Sequence, residues 1–553
     1  MNTSWRNWST RAGRAVAAVI VSLLAASCTV GSGNDAERVA PADQPKEGGT
    51  LVLGALQEPA CADWYAACGI SSVWGRDMLS SQTLPRAFDF VDNVYRPSIL
   101  LAGEPTVSPG PPQVVTYRLN PSAVWSDGTR ITSADFKYTA EQAKLAGSST
   151  AAAAVDTVDA SDPGVAKVTF KDPTPAWRDN FARLLPNHLL AGKDRGAVLR
   201  DGYTFSGGPW ALDHWTRGVE IKLVPNARYW GPKPHLDSVV FKVITDSSAY
   251  LAAYKTGQLD MAYFAGPQRD ILDLKGLTGT HFESSIGFSF EVVMFNTAKP
   301  PLDSKAVRQA LAFGADRDAI VLQQSGSIDP AIKPAQALMS PGNREWYTQP
   351  YRRYERDLGR VKQLMTDDGW AKGTDGVWAK AGTRATVELN TGTGNARREQ
   401  AEEILRSQWK EAGFDVSIVN ANPATLLTGK WFTDGTFQAA IVSLAPPATD
   451  PNLCGNFCSK NIPTETKPGN NVSRIASKPL DDLWEAVAKE LDDTKRHELV
   501  NQAQQTLADE MPALPLNPVL DIIVFNEAKV GGVKTNPAGA FYNLSEWYCR
   551  SHC

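Results

Sequence analysis

Seven cysteines and six histidines are the residues of this 553-residue chain best suited to holding a metal or acting as nucleophiles. Their spacing decides which chemistry they serve. Cys454-x-x-x-Cys458 has the reach of a metal half-site, but no further cysteine or histidine stands near it. The histidines (188, 214, 235, 281, 497 and 552) are scattered. His497-Glu498 opens like a zinc-protease motif, but the second histidine is absent. There is no Gly-x-Ser-x-Gly elbow, no Walker loop and no Gly-x-Gly-x-x-Gly turn. Acid pairs such as Asp367-Asp368 and Asp492-Asp493 read as solvated helix ends. A two-carboxylate glycosidase needs no motif and is the enzyme class that pattern reading leaves open. No metal, no cofactor and no enzymatic activity are expected. Six cysteines instead fall into local pairs, Cys61/Cys68, Cys454/Cys458 and Cys549/Cys553, which suits short-loop disulfides in an oxidising compartment. Six cysteines allow fifteen connectivities, so spacing alone leaves the pairing open.

The seventh cysteine has a different setting. Arg6, Arg11 and Arg14 precede an apolar run over 15–26 that has the length of a secretory core and falls short of a membrane span. The run ends in Leu24-Ala25-Ala26-Ser27-Cys28, small residues before a cysteine, which resembles a bacterial lipobox. That resemblance implies a signal peptide over 1–27 and lipidation of Cys28. Residues 28–46 are rich in Gly, Ser, Pro and Asp without periodicity, as a flexible tether would be. Losing the leader leaves 53 basic against 60 acidic residues. With that acidic balance and no basic run, neither nucleic acid nor an anionic lipid surface is an expected electrostatic partner. Sixteen tryptophans supply aromatic surface that could enclose an organic ligand or simply fill cores.

The elements that must position any site alternate in type. Strands are predicted at 50–55, 116–120, 165–171, 219–224, 239–244 and 260–264, with a helix at 247–255 closed by Gly257. Trp125-Ser126-Asp127-Gly128 reads as a tight turn, followed by a capping box from Thr132 to Asp135. Apolar stripes predict helices over 304–324, 399–412, 480–491 and 497–507, with Gly413 ending the second. The β-α-β order calls for an α/β fold with a parallel sheet.

Several of these segments carry a resemblance. Gly48-Gly49-Thr50-Leu51-Val52, the stretch Ala123–Phe136 around Trp125-Ser126-Asp127-Gly128, and Asn226-Ala227-Arg228-Tyr229-Trp230-Gly231-Pro232 occur in order along the chain. Lys255-Thr256-Gly257-Gln258-Leu259-Asp260 and Val307-Arg308-Gln309-Ala310-Leu311 with Asp316-Arg317 follow them. Together they resemble the family 5 (peptide/nickel-type) solute-binding lipoproteins of bacterial ABC importers. The resemblance implies a two-lobed periplasmic-binding-protein-like fold (type II, cluster C) with a domain inserted in the first lobe. On this chain the first lobe takes about 47–86, 205–287 and 519–553, the inserted domain 87–204, and the second lobe 288–518. Crossings near 288–295 and 515–519 would form the hinge, and ligand capture would mean closure.

The same resemblance implies partners and a site. The partners are a small-molecule ligand, most simply an oligopeptide or peptide-like compound, the permease subunits, and the membrane through Cys28. A monomer on the outer, periplasmic side of the cell membrane is expected. An oligosaccharide or other non-peptide ligand, or a sensor or scavenger without a transporter, is the alternative. Tyr263, Phe264 and Phe290 match cleft-facing aromatics. Ser443, Leu444 and Ala445 match a stretch whose backbone pairs with an extended ligand, and Glu58 and Trp64 follow the first strand. One departure stands out. Where peptide-binding members carry an Asp for the ligand's ammonium, three residues before an acidic-Pro dipeptide, this chain has Pro447 before Asp450-Pro451. Proline offers neither carboxylate nor backbone donor, so Asp450 is the candidate replacement.

Overall fold

Leu51, Leu53 and Ala55 recur at every second position and are all buried, so the segment after Gly48-Gly49 forms strand β1 (Thr50–Ala55). The structure, a computed structural model, describes residues 45–553 apart from 67, 69–75, 147–149, 265–267, 327, 423–429, 447–449, 465–468, 538 and 552. The expected signal peptide, Cys28, nearly all of the tether, and Pro447 lie outside the described residues. Among the described residues no helix is long and apolar enough to cross a membrane.

β1 belongs to a ten-stranded sheet. The other members are β2 (Trp210–Thr216), β3 (Glu220–Pro225), β4 (Ser238–Val243), β5 (Met261–Phe264) and β6 (Thr280–Phe295). They continue with β7 (Thr386–Asn390), β8 (Asp415–Ile418), β9 (Ala439–Leu444) and β10 (Ala513–Asn526). The order across the sheet is β8-β7-β9-β6-β10-β5-β1-β4-β3-β2. β1 runs parallel to β4 and β5, and β7 runs parallel to β8 and β9. The predicted parallel sheet is therefore present as two parallel groups. The long antiparallel pair β6 and β10 joins them.

Three clusters of buried side chains fill this frame. The first draws on residues between 51 and 263 and between 523 and 549. The second is built entirely from residues between 290 and 516. A smaller third cluster packs Tyr250, Phe264, Leu520 and Ile522 against Val321 and Ile332, so it spans the join. Between β1 and β2 the chain adds a four-stranded antiparallel sheet, in the order Thr106–Ser108, Gln113–Arg118, Val165–Phe170, Val155–Asp162. Its Val115, Tyr117 and Val168 share the first core. Cys61–Cys68, Cys454–Cys458 and Cys549–Cys553 are bonded, the local pairing that the spacing left open.

Local signals account for several element ends. Asp135 accepts from the Thr132 amide at 2.8 Å and opens the helix Ser133–Leu145. Gly413, with φ +98°, closes the helix Ala396–Ala412, a conformation that favours glycine. The single helix expected over 304–324 is instead two, Lys305–Gly314 and Arg317–Ser325. Asp316 accepts from the Ala319 amide at 3.0 Å and so starts a new helix. The break also buries Arg317, whose guanidinium donates to the carbonyls of Ala335, Tyr351 and Pro515. The last long helix, Asp493–Glu510, begins earlier than its apolar stripe because Asp492 caps it through the Lys495 amide.

One buried acid gives the fold a pH dependence. Glu402 is fully buried on the helix Ala396–Ala412, and its carboxylate accepts from Asn420 Nδ2 at 2.8 Å. Burial, reinforced by Glu399 and Glu403, pushes its pKa up to about 7. The folded protein therefore holds this proton in a window where the unfolded chain has already released it. Stability falls as pH rises from the ordinary glutamate range to about 7. Glu402→Gln should raise the melting temperature at pH 8 and change it little at pH 4.5. Equal shifts at both pH values would count against a protonated Glu402.

Candidate functional site

Strand polarity directs the search for a site, because ligands of open α/β sheets bind beyond the carboxyl ends of their parallel strands. β5 ends at Phe264, opposite Ile522 of β10. β9 ends at Leu444, opposite Phe290 of β6. Between these points the β6–β10 pairing slips, with register shifts between Ile286 and Phe290 and between Phe290 and Val292. Their partners on β10 include Pro515 and Pro518, and proline gives no amide to the ladder. The carboxyl ends of both parallel groups thus meet at one irregular crossing.

Among the described strands, the outer side of β9 is open there. β7 pairs with β9 only at Ala439 and Ala440. Beyond Ala440, no described strand covers that side. Backbone parity shows which groups face outward. The Gln438 carbonyl accepts from the Asn296 amide, on the β6 side. The Ile441 carbonyl accepts from Thr391 Oγ1 at 3.1 Å, on the other side. Alternate residues of a strand share a direction, so Ser443 turns its amide and carbonyl to the open edge, and Ala445 follows directly after the strand's last residue. Both are exposed, while Leu444 packs on the second core.

The aromatic candidates are less available than their residue types suggest. Phe290 is 0% exposed, inside the second core. Phe264 is 4% exposed in the third cluster, edge-on to Tyr250 at 5.3 Å between centroids. Tyr263 is buried against Phe541, and its hydroxyl donates to the Asp521 carboxylate. Each of the three packs into a different one of the three cores. The two candidates after β1 are held by partners. Glu58 accepts from Trp215 Nε1 at 2.7 Å and from the Gly218 amide at 3.1 Å. Arg183 lies over the Trp64 ring, 3.9 Å from its centroid.

Asp450 is not a free acceptor. It is buried, and Arg496 Nη2 donates to its Oδ1 at 2.8 Å. Burial pushes its carboxyl above the usual carboxylate range despite that guanidinium. Arg496 also donates through Nε to the Val487 carbonyl at 3.1 Å and lies over the Trp346 ring. The reach from Asp450 to Arg496 spans 46 residues, so the local sequence carried no sign of it.

Arg496 also lines a cavity of about 550 Å³ beside the crossing. One wall is the hairpin formed by Phe88–Val91 and Val94–Pro97, whose Phe90 ring lies 6.1 Å from that of Phe288 on β6. The other wall carries Asn343 and Trp346, in a segment tied to the crossing by the Ser340 hydroxyl donating to the Gly287 carbonyl. None of these residues was a sequence candidate. The available signal was the Asp92-Asn93 pair, both at positive φ, which marks a tight hairpin turn that aims the strand tips.

Comparison with known proteins adds to this geometry. The model of the family described as bacterial extracellular solute-binding proteins, family 5 Middle, matches residues 97–461. The oligopeptide-binding protein AppA of Bacillus subtilis (strain 168) is 23% identical over 550 residues, which span 96% of this chain and 97% of that protein. A solved structure of AppA in complex with a nonapeptide has a TM-score of 0.73 at 20% identity, covering 92% of this chain and 100% of its own. The periplasmic EDTA-binding protein EppA has a TM-score of 0.82 at 19% identity, covering 92% and 98%. These likenesses show the expected two-lobed α/β fold.

Proposed function

Since the chain belongs to the bacterial extracellular solute-binding proteins of family 5, we propose that it captures an oligopeptide or peptide-like compound at the β6–β10 crossing and delivers it to an ABC permease. The observation that carries this reading is the open edge of β9, where the backbone groups of Ser443 have no strand partner among the described residues. An extended peptide added there would gain main-chain hydrogen bonds whatever its side chains. AppA, similar over nearly the whole chain, is named for oligopeptide binding and was solved with a nonapeptide. The two large cores, with a slipped register between them, support a first lobe (47–86, 205–287, 519–553, with 87–204 inserted) that closes on a second (288–518).

Mass spectrometry of small molecules released from the purified, denatured protein should find peptides or peptide-like compounds. Returned to the emptied protein, such a compound should reduce the radius of gyration in small-angle scattering. Release of sugars alone would overturn the peptide reading, and an unchanged scattering profile at saturation would overturn closure.

The leader and lipobox-like string support export and anchoring at Cys28 on the outer face of the cell membrane. One acyl chain binds membranes only marginally, so the anchor would need more than one chain. Cys28→Ala should leave the protein unprocessed or free in the medium. Continued detergent-dependent association of that variant would defeat the anchor.

A further inference from the structure

We infer that the cavity beside the crossing is a side-chain pocket for a lysine or arginine of the bound peptide. The inference rests on the peptide reading above and adds a selectivity to it. The volume of about 550 Å³ and the position between the hairpin and the second core are those of a ligand pocket. Its lining combines apolar surface with carboxylates. Phe90, Tyr95 and Trp346 supply aromatic wall, and Val94, an apolar side chain on the same hairpin, is 51% exposed. Such a wall suits the aliphatic stem of a long cationic side chain, whose charge then needs a partner at the tip.

The sign of the pocket follows from which charges are already matched. Three arginines and four acids line it. Arg496 is matched by the buried Asp450, and Arg178 by Glu104 at 3.1 Å. Asp179 is engaged by the Tyr95 hydroxyl, which leaves Arg344 against Asp92, Glu345 and Asp493. Glu345 stands 3.7 Å from His497. Asp92 and Asp493 enter no ion pair and no side-chain hydrogen bond among the described residues, and both are exposed. A concave site with low-dielectric walls concentrates such a surplus into a negative potential. The matched arginines cannot cancel it without abandoning Asp450 or Glu104. An anionic side chain would meet the same surplus as repulsion.

The test uses the full mature protein and alanine di-, penta- and nonapeptides carrying one lysine, norleucine or glutamate, titrated calorimetrically. At low ionic strength the lysine peptide should bind about five- to ten-fold more tightly than its norleucine counterpart, and the margin should shrink in high salt. In Asp92→Asn/Asp493→Asn the margin should fall below about two-fold, with norleucine binding unchanged. Asparagine tolerates the positive φ of residue 92, and position 493 is exposed, so the double variant keeps the fold. Equal binding of lysine and norleucine peptides by the natural protein would overturn the pocket while leaving the peptide reading intact. A preference that survives in the double variant would overturn the assignment to these acids. Failure of every peptide to bind would overturn the peptide reading itself.

Discussion

Asp450→Asn is expected to lower the free energy of unfolding by about 3–5 kcal/mol, the usual cost of leaving one charge of a buried pair unmatched. The stranded charge would be Arg496, whose side chain is only 5% exposed. Its remaining contacts, the Val487 carbonyl and the Trp346 ring, cannot replace a carboxylate. The pair itself contributes much less than its rupture costs. Burial raises the Asp450 carboxyl even with the guanidinium at 2.8 Å, so desolvation outweighs attraction on that side. Asp450→Leu/Arg496→Met should therefore lie near the natural protein in a urea titration, with each single variant well below both. An unchanged midpoint for Asp450→Asn would show that Arg496 reaches water. From sequence alone Asp450 was the candidate for a ligand's ammonium. With its carboxylate matched internally, its effect on binding should follow its effect on stability.

That reversal illustrates what was legible in the chain and what was not. Features set within a few residues could be read directly: the alternation in β1, the Thr132–Asp135 cap and the glycine stop at 413, whereas the cysteine spacing suggested local pairs without fixing them. The two longest strands could not be read from pattern. β10 carries Pro515 and Pro518, which argue against a central strand, and the slipped register at the crossing is what accommodates them. The crossing came instead from the family resemblance. Aromatic type also misled. Tyr263 and Phe264 are neighbours on a strand and point to opposite faces, so no single surface can use both. Each already has a core to fill. Glu58 looked free beside β1, but its partners Trp215 and Gly218 arrive from some 160 residues away. Ser443, Leu444 and Ala445 were candidates through the family resemblance, and among the described strands β9 has an open edge at Ser443. Its cause is that β7 stops opposite Ala440.

Ser443→Pro should weaken peptide binding by about 10- to 100-fold with little loss of stability, whereas Leu444→Pro should do the reverse. The two positions are adjacent, and only the direction of the backbone separates them. Ser443 faces the open side, so a proline there removes an amide that no described strand uses. Proline is tolerated on the free side of an edge, and Pro446 already follows shortly after. For a ligand strand the loss is larger, because one of its carbonyls would be buried without a donor, at about 1–3 kcal/mol. Leu444 faces β6, opposite Phe290, and its side chain packs on the second core. A proline there breaks the ladder at the crossing itself. Calorimetric titration of each variant with the co-purified compound, beside its urea midpoint, separates the two effects. If Ser443→Pro bound as tightly as the natural protein while remaining folded, the ligand would not be held along this edge. Recognition would then rest on side chains, with the cavity beside the crossing as the place to look.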